Sequence, residues 1–469
     1  PVSHPDNTDE SEVTTMTMFN KDQIFQLLES RDGEALRALW QGRGAVDIAA
    51  LLDSVEDGAR QAAVFRTLPK DLAADVFSYL PGPTQATLAR SFADGELQQI
   101  FDALHLDDAA DFLEELPANL VTRILRSASP QRRMAVNALL RYPADSAGSV
   151  MTPEFVSLRP GDTVRQALDT IRRTGIHKET VYTCYVLEHR QLLGVVSAKD
   201  LLTAAEDAAV ADLMVTDVVS VGTLTDREEA ARLLAKYDLL ALPVLDGEER
   251  MVGIVTVDDA MDVIEEETTE DFEKMAAMLP SDKPYLKSGI FATWRARLPW
   301  LMVLMLSATF TGMILNHYES ALAACLVLNS YIPMLSGTGG NSGTQASVAV
   351  IRALSLDEVD FSDIFQVLWK ELRVSLLCGV CLAGANFVKM QLVDRLLLGN
   401  AAVTPMVCLV VCLTILFVVV FAKCVGCSLP ILAEKIGLDP AVMASPFIST
   451  IVDATSLLIY FRFASWFLL

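Results

Sequence analysis

A single aspartate stands inside the last apolar stretch of the chain. Asp453 is the one acidic residue among residues 441–469, and its immediate neighbours Ile451, Val452 and Ala454 are apolar. A carboxylate in a bilayer costs several kcal/mol unless water, a partner or a cation accompanies it. Ser445, Ser449 and Ser456 follow the same helical spacing, in steps of four, four and three, so all four polar side chains share one face. This stripe predicts the wall of an ion pathway.

A second polar run lies in an earlier apolar stretch. Residues 336–345 read Ser-Gly-Thr-Gly-Gly-Asn-Ser-Gly-Thr-Gln, shortly after Pro333. At membrane depth such a run is tolerated only against protein or a water-filled path. The glycines could equally serve close helix packing, but Asn341 and Gln345, one turn apart, favour a lined pathway. Oxygen-bearing groups of this kind suit Mg2+, which sheds its water reluctantly, and two copies of Asp453 across a dimer axis could hold a hydrated ion.

Four other interpretations compete with the ion pathway. Asp453 could form an ion pair, but Arg462 and Lys423 lie near the predicted span ends and reach it poorly. A secondary transporter coupled to Na+ or H+ could use a buried aspartate, but no second carboxylate falls inside the predicted spans. A membrane scaffold without transport would not need the polar stripe. An enzyme is least expected, because no nucleophile–base set, phosphate loop or zinc spacing occurs.

Charge is divided unequally along the 469 residues. The formal net charge is −23, of which residues 1–297 carry −21, while residues 298–469 hold 8 basic and 10 acidic residues. The first part is therefore expected to be soluble and the second to lie in a membrane. The acidic excess repels nucleic acid and attracts cations. The eight cysteines show no zinc or disulfide spacing and are expected to behave as small buried hydrophobic residues.

Five apolar stretches are long enough to cross a bilayer, since a hydrocarbon core of about 30 Å needs about 20 helical residues. They cover residues 298–315, 321–350, 372–393, 402–421 and 441–469. Basic residues cluster before the first, between the second and third, and between the fourth and fifth stretches. The positive-inside bias therefore predicts an integral protein of the plasma or inner membrane, with cytoplasmic N-terminal domains and an external C-terminus.

The soluble part contains two internal repeats. Residues 68–81 realign 36 positions later with residues 104–117, which predicts stacked helix pairs in a small superhelical all-α domain over 20–145. Residues 146–265 hold two copies of a mixed strand–helix pattern with the motif Gly-hydrophobic-Val-Ser/Thr-x-x-Asp, at Asp200 and Asp259. The two repeated domains are expected over 146–257, and Asp259 falls in the helix that follows them. This duplication resembles a tandem α+β CBS module. Residues 1–19 are expected to be a disordered tail or vector-derived residues.

A run of acidic residues joins the soluble and apolar parts. Residues 258–290 begin with a predicted helix in which nine acids from Asp258 to Glu273 accompany one base, Lys274. Like charges at i, i+3 and i+4 repel each other. A solvated linker helix is one explanation. The direct passage into the first apolar stretch, near residue 291, favours a connecting helix that responds to cations.

The whole of residues 20–469 resembles the MgtE family of magnesium channels. The most specific motifs are residues 331–347, continuing into Ile-Arg-Ala-Leu at 351–354, and residues 439–461 around Asp453. The resemblance implies a multi-domain homodimer with a transmembrane domain of five α-helices over 291–469. It also implies a Mg2+-selective channel that passes hydrated Mg2+ inward. Asp453 matches the selectivity aspartate, and Ser445, Ser449, Asn341 and Gln345 are the expected pore residues.

The resemblance further implies a cytosolic Mg2+ sensor, with an acidic plug helix that closes the pore when Mg2+ bridges the acidic surfaces. The expected ligands are Asp75, Asp107, Asp111, Asp226, Glu228, Asp238, Asp259, Asp262, Glu267 and Glu270. CBS pairs commonly bind adenine nucleotides, which would place Asp200 or Asp259 at a ribose, and ATP is left open. Selectivity against Mn2+, Co2+ and Ca2+ is also open, because Ser445, Ser449 and Thr344 depart from common family residues.

Overall fold

The architecture comes from a computed structural model, which describes residues 21–30, 32–281, 285, 288–443 and 445–468. The expected tail at 1–19 lies outside these residues. The chain divides into two compact units, Pro1–Ile264 and Glu265–Leu469. The first unit combines a helical-repeat region with two small sheets, and the second is helical, so the multi-domain fold class is confirmed.

The helical region of the first unit is built from short helices of about three turns. They are α1 Lys21–Glu29, α2 Gly33–Trp40, α3 Ala45–Asp53, α4 Gly58–Phe65, α5 Lys70–Ser78, α6 Gly82–Ser91, α7 Asp94–Ala103, α8 Leu106–Glu114, α9 Ala118–Ser127 and α10 Pro130–Leu139.

The internal repeat is present, but its unit is not a helix pair. Helices α5, α6 and α7 begin 36 residues before α8, α9 and α10 respectively, so each repeat contains three helices. The prediction of stacked pairs was wrong because prolines divide the period more finely. Pro69, Pro81 and Pro117 each stand at the N-cap of a helix, where a fixed φ and a missing amide proton cost nothing. Phe77 of α5 and Phe112 of α8 stack edge to face with centroids 4.9 Å apart, which joins the two repeats.

The two sheets of the first unit repeat one topology. The strands are β1 Val156–Leu158, β2 Thr183–Glu188, β3 Gln191–Ser197, β4 Val221–Gly222, β5 Ala241–Leu245 and β6 Met251–Thr256. The accompanying helices are α11 Val164–Thr174, α12 Ala198–Thr203, α13 Val210–Leu213, α14 Arg227–Lys236 and α15 Val257–Met275. In each sheet the first strand is parallel and the third antiparallel to the middle strand, in the orders β1-β2-β3 and β4-β5-β6.

A glycine occupies the same position in the last strand of both copies, and close packing explains why. A Cβ on Gly194 of β3 would lie 2.6 Å from the Val215 carbonyl oxygen, and one on Gly253 of β6 would lie 2.7 Å from Met151 Sδ. Isolated bridges pair Val195 with Val215 and Thr152 with Ile254. The segment that opens each copy therefore lies against the last strand of a sheet, at a distance that only glycine permits.

The second unit consists of long helices. They are α16 Ile290–His317, α17 Glu319–Ala324, α18 Ile332–Ser355, α19 Ile364–Lys389, α20 Pro405–Lys435 and α21 Ser445–Phe467. A 3-10 turn, Leu326–Tyr331, separates α17 from α18, so the single predicted span 321–350 is in fact interrupted. A π-helical segment, Met390–Leu397, extends α19.

Four segments of the described chain are long and apolar enough to cross a membrane. They are Ile290–His317, Phe361–Leu397, Pro405–Lys435 and Pro440–Phe467. Helix α18, which carries the glycine-rich polar run, has 24 residues but is not among the four. It nevertheless packs along α20 and α21, so the most polar of the long helices lies against two apolar ones.

Glycines set the separation of α18 from its neighbours. A Cβ on Gly339 would lie 2.7 Å from side-chain carbons of both Val418 and Val452, and a Cβ on Gly426 of α20 would collide with the carbonyl oxygen of Gly343. The last contact is backbone against backbone, so no side chain can turn away to relieve it. Small residues at such crossings allow close van der Waals packing of membrane helices.

The substitution Gly426→Ala should lower the stability of the membrane unit. Forcing α20 away from α18 is expected to cost about 1–3 kcal/mol, the usual range for overpacking. The measurement is the thermal unfolding temperature of the detergent-purified chain. Gly384→Ala in α19 is the matched control, because a Cβ there meets no atom within 4 Å. Equal unfolding temperatures for the two variants would contradict this account of the helix contact.

Candidate functional site

Asp453 lies on the side of α21 that faces α18. Ser336 of α18 donates a short hydrogen bond from Oγ to Asp453 Oδ1. The carboxylate is partly buried, and among the described residues the Ser336 hydroxyl is the side-chain group that donates a hydrogen bond to it. Lys423 does not neutralise Asp453; it lies 3.5 Å from Glu371 instead. Arg462 is exposed and lies over the Trp466 ring, 5.6 Å from its centroid.

The serines of the predicted stripe face the glycines of α18. Ser449 Oγ lies 3.3 Å from a Cβ built on Gly340, and Ser456 Oγ lies 3.0 Å from one built on Gly339. Ser456 is 1% exposed, so it belongs to the helix contact and lines no open surface of the chain. Ser445 begins α21, but its side chain lies outside the described residues. The stripe therefore has two parts. Ser456 packs against α18, whereas the Asp453 side chain remains partly exposed on the surface of the chain.

Helix α18 has two distinct polar faces. Ser342 and Ser347 are buried within the chain, whereas Asn341 and Gln345 are exposed on the other side. Gly337 shares the exposed face one turn earlier. The two amide side chains thus lie on one accessible strip, as their spacing indicates, but on a different face of α18 from the buried serines.

A second carboxylate does lie inside the long helices, contrary to expectation. Glu371 falls in α19, which begins at Ile364, eight residues before the predicted span at 372. Glu371 and Lys423 form a largely buried ion pair, with side chains 14% and 8% exposed. Hydropathy placed both at span edges because charged residues end an apolar window even where the helix continues. Asp394, at the other end of α19, likewise accepts hydrogen bonds from Tyr331 (2.9 Å) and Lys389 (3.0 Å).

In the first unit, the structure brings two of the predicted sensor acids together. Asp107 of α8 is 8% exposed. Burial, and then repulsion from Asp259, Glu179 and Asp108, hold the pKa of Asp107 well above its ordinary value. Burial likewise raises the pKa of Asp259 to about 7, although Thr256 donates a hydrogen bond of 2.6 Å to its Oδ2. These carboxylates are close enough to destabilise one another.

The neighbouring Asp108 belongs to the same cluster and was not predicted. Burial raises the pKa of Asp108 to about 6, with Glu179, Asp258 and Asp75 adding repulsion and His105 opposing it. Asp75 itself is exposed on α5. Asp111, one turn after Asp107, points to the exposed side of α8. The acidic cluster, defined as Asp107, Asp108 and Asp259, is therefore narrower than the predicted set.

The remaining predicted acids of the two-sheet region have local partners. Asp226 caps α14 by accepting from the Glu228 amide (2.8 Å), and Glu228 pairs with Arg232 at 2.8 Å. Asp238 is exposed in a left-handed turn after α14, with φ of 52°. Asp200 Oδ2 accepts a hydrogen bond of 2.6 Å from Ser197. Asp200 and Asp259 thus occupy equivalent positions after β3 and β6, and ATP binding there stays a prediction.

The acidic connecting segment is helical, as α15, up to Met275. In the part of α15 that belongs to the second unit, Lys274 lies 2.7 Å from Glu270 and 2.6 Å from Asp439. Burial opposes the charge on Lys274, but these two carboxylates outweigh it and raise its pKa. Asp439 immediately precedes the 3-10 turn Pro440–Met443 that leads into α21. The end of α15 is therefore tied to the segment that carries Asp453. Asp262 and Glu267 also lie on α15, at exposed and partly buried positions.

Sequence reasoning missed several side chains that the structure places at these sites. They are Ser336, Asp108, Glu179, Glu371 and Asp439. The sequence could have identified Ser336 as a site residue, since it opens the polar run one turn before Gly340. It could also have identified Asp108, which is the neighbour of Asp107 in the repeat. No feature of the sequence identifies Glu179, because its partners come from distant parts of the chain.

Comparisons with known proteins cover nearly the whole chain. Residues 332–463 match the MgtE divalent cation transporter family, residues 44–145 match the MgtE intracellular N domain, and residues 147–207 and 210–266 each match a CBS domain. The crystal structure of the soluble part of a magnesium transporter is 28% identical, with a TM-score of 0.50 over 52% of this chain and 97% of that one. The cytosolic domain of the Mg2+ channel MgtE in complex with ATP is 41% identical over 51% of this chain and 98% of that one, with a TM-score of 0.49.

Full-length relatives show the same likeness. The magnesium transporter MgtE of Thermus thermophilus is 40% identical over 446 residues, which are 94% of this chain and 97% of the relative. That of Bacillus subtilis is 36% identical over 388 residues, 82% of this chain and 81% of the relative. Together with the family matches, these identities show that the chain belongs to the MgtE family of divalent cation transporters.

Proposed function

We propose that this protein is a Mg2+-selective channel that passes hydrated Mg2+ inward and is closed by cytosolic Mg2+. One observation carries the proposal: Asp453, on a long apolar helix, has a hydroxyl partner and no recorded basic partner among the described residues. A carboxylate held in this way keeps its negative charge available to a cation. The names of the relatives from Thermus and Bacillus support Mg2+ as the ion.

The Ser336–Asp453 contact suits an ion that keeps its water. The hydroxyl occupies one carboxylate oxygen and orients the group, which leaves the other oxygen to accept hydrogen bonds from the hydration shell. Mg2+ dehydrates reluctantly, so attraction through its water costs less than direct ligation. Asn341 and Gln345 on the accessible strip of α18 offer further donors and acceptors to such a shell.

The surfaces that a single chain leaves uncovered support a homodimer as part of this proposal. Asn341 and Gln345 are exposed on α18, and α16 buries no residue of its apolar window within the chain. Polar side chains at membrane depth need protein or a water-filled path beside them. A second copy that faces α18 would supply both, with the pore between the two chains and two Asp453 carboxylates across the axis.

The proposed orientation places the first unit in the cytoplasm and the C-terminus outside. The family description of residues 44–145 as an intracellular domain supports it. In that compartment the acidic cluster would meet cytosolic Mg2+. Buried like charges destabilise their neighbours unless a cation compensates them, so bound Mg2+ would favour the conformation in which Asp107 and Asp259 are close. Through α15 this preference would bias the pore toward closure.

Coupled transport of a divalent cation with Na+ or H+ is the second candidate, and the Glu371–Lys423 pair favours it. In a buried ion pair inside the long helices, the carboxylate could bind a proton when it separates from the base and release the proton when the pair forms again. The two candidates differ in what drives flux. A channel needs only the Mg2+ gradient and the voltage, whereas a coupled transporter also needs the second gradient.

In liposomes, Asp453→Asn should reduce Mg2+ flux at least about tenfold, equivalent to about 1.4 kcal/mol of barrier. The substitution keeps the size of the side chain and its acceptor for Ser336 but removes the charge. Flux is measured with an internal Mg2+ dye under an imposed potential and without Na+ or H+ gradients. Wild-type flux under these conditions supports a channel, and flux that appears only with a second gradient supports the coupled transporter.

Two further variants give this experiment its controls. Asp357→Asn changes an exposed aspartate in a left-handed turn, with φ of 54°, where asparagine is well tolerated, and should leave flux unchanged. Ser336→Ala removes the donor to Asp453 and should lower flux, while Ser342→Ala removes only a hydrogen bond within α18. Unaltered flux in Asp453→Asn would refute the proposed pore residue.

The acidic cluster predicts that neutralising Asp107 changes thermal stability in opposite directions without and with Mg2+. At a pH above the raised pKa of Asp107, Asp107→Asn should raise the unfolding temperature of the purified chain in chelator, because it removes an ionised buried carboxylate whose desolvation costs on the order of several kcal/mol. It should also reduce the stabilisation that millimolar Mg2+ confers on the wild type. Asp47→Asn, at an exposed position on α3, is the control. If Mg2+ stabilises Asp107→Asn as much as it does the wild type, Asp107 is no part of the sensor.

If the protein is a dimer, its native mass in detergent should be that of two chains of 51.1 kDa each. Native mass spectrometry separates this from monomer and higher states without depending on detergent size. Asn341→Leu on the accessible face of α18 should keep the dimer mass but lower flux, because it removes a polar side chain from the proposed path. A native mass of a single chain would contradict the arrangement of two carboxylates across one axis.

A further inference from the structure

One histidine of the first unit faces two glutamates. His105 precedes α8, and its Nδ1 lies 2.7 Å from Glu154 Oε2 and 2.8 Å from Glu179 Oε2. The ligand atoms of the three residues all lie within 4.8 Å of one another. Glu154 and Glu179 come from the first CBS copy, whereas His105 comes from the helical repeats. The three side chains form what we call the His-Glu-Glu cluster.

The protonated His105 ring forms ion pairs with both glutamates, but its single Nδ1 proton makes a hydrogen bond to only one of them. One N–H donates along one direction, and Glu154 Oε2 is the oxygen that it reaches with hydrogen-bond geometry. Glu179 Oε2 is buried and has no hydrogen-bond partner, although it is nearly as close to the same nitrogen. A buried acceptor without a donor costs about 1–3 kcal/mol. A metal ion held by all three atoms would contact both carboxylate oxygens directly, which one N–H cannot do.

The backbone holds the three side chains in place. The Glu179 amide donates to the Glu154 carbonyl oxygen at 2.9 Å, which fixes the two glutamates relative to each other. Arg132 donates to the Leu104 carbonyl oxygen at 2.5 Å, beside His105. The side chains are partly buried, with 43%, 20% and 21% exposed for His105, Glu154 and Glu179. Ligands positioned in advance in this way lower the cost of binding an ion.

The donor set indicates which class of ion would fit. Mg2+ prefers oxygen ligands alone, whereas one imidazole nitrogen with two carboxylates suits divalent transition metals such as Zn2+ and Co2+. Around such an ion, neighbouring ligand atoms at about 2.0–2.2 Å from the metal lie about 3.0–3.4 Å apart. The two separations between Nδ1 and the glutamate oxygens, 2.7 and 2.8 Å, are somewhat shorter than this and would need to widen.

We propose that the His-Glu-Glu cluster is a binding site for a divalent transition-metal ion, separate in chemistry from the oxygen-only magnesium sites. The ion would take the place of the Nδ1 proton and join α8 to the first CBS copy through His105 on one side and Glu154 and Glu179 on the other. Transition metals would then stabilise this junction independently of Mg2+. The inference goes beyond the proposed channel function and does not require it.

The test is Zn2+ binding to the full-length chain in detergent, stripped by chelation and returned to excess Mg2+ so that oxygen-only sites are filled. Calorimetry should detect a Zn2+ site in the wild type that His105→Asn weakens at least about tenfold. Asparagine is a favoured residue before a helix, and its amide can still donate to Glu154, so the fold is retained. With Co2+ as the probe, the ligand-field absorption of the wild type should disappear in the same variant.

His189→Asn is the matched control, because His189 is exposed in a left-handed turn of the same CBS copy, with φ of 52°. It should bind Zn2+ and Co2+ as the wild type does. Equal Zn2+ affinity in the wild type and His105→Asn would overturn the proposal, as would the absence of Zn2+ binding in excess Mg2+. Neither result bears on Mg2+ flux through Asp453, so the site and the proposed channel fail separately.

Discussion

A carboxylate taken out of bulk water needs a donor, a base or a cation to compensate its charge. Both units of this protein hold carboxylates for which the described protein groups supply only part of that compensation. Asp453 has one hydroxyl. Asp107 has other carboxylates as its strongest electrostatic neighbours, and Glu179 has an oxygen without a donor. Glu371 has a base, Lys423, at 3.5 Å, but its Oε2 is likewise buried without a hydrogen-bond donor.

Close packing of the helices determines where the carboxylate of α21 can lie. Gly426 of α20 lies against the backbone of Gly343 in α18, and Gly339 of α18 lies against the Val452 side chain of α21. This approach allows the short side chain of Ser336 to reach Asp453 across the helix contact. A larger residue at Gly339 would push α18 away from Val452 of α21 and move Ser336 away from Asp453. The site therefore depends on residues that have no chemistry of their own.

The first unit uses the same principle at the junction of its two parts. The acidic cluster and the His-Glu-Glu cluster both draw on α8 and on the CBS copies, and they share Glu179 as an electrostatic neighbour. Carboxylates supplied by two structural elements repel unless a cation lies between them, so an ion at either cluster would change how firmly α8 is held. Nitrogen in one set of side chains and oxygen alone in the other would give the two clusters different preferences among cations.

The sequence by itself determined the broad organisation of the chain, because periodicity and composition act locally. The sequence alone predicts the 36-residue repeat, the duplicated CBS pattern, the acidic helix and the apolar C-terminal region. It also shows that Asp453 is isolated from other charged residues of its apolar stretch. The number of helices per repeat, the true start of α19 and the break before α18 were misjudged. Prolines and charged residues interrupt a hydropathy pattern at places that need not coincide with helix ends.

Only the tertiary structure decided which side chains meet. Ser336 and Asp453 are 117 positions apart, and His105 lies 49 positions from Glu154. Such pairs arise from the approach of whole helices and strands, and side-chain spacing along one element contains no information about its neighbour. The structure likewise separated the serine stripe of α21 into a packing part and an accessible part, because burial depends on what lies opposite a residue and not on the residue itself.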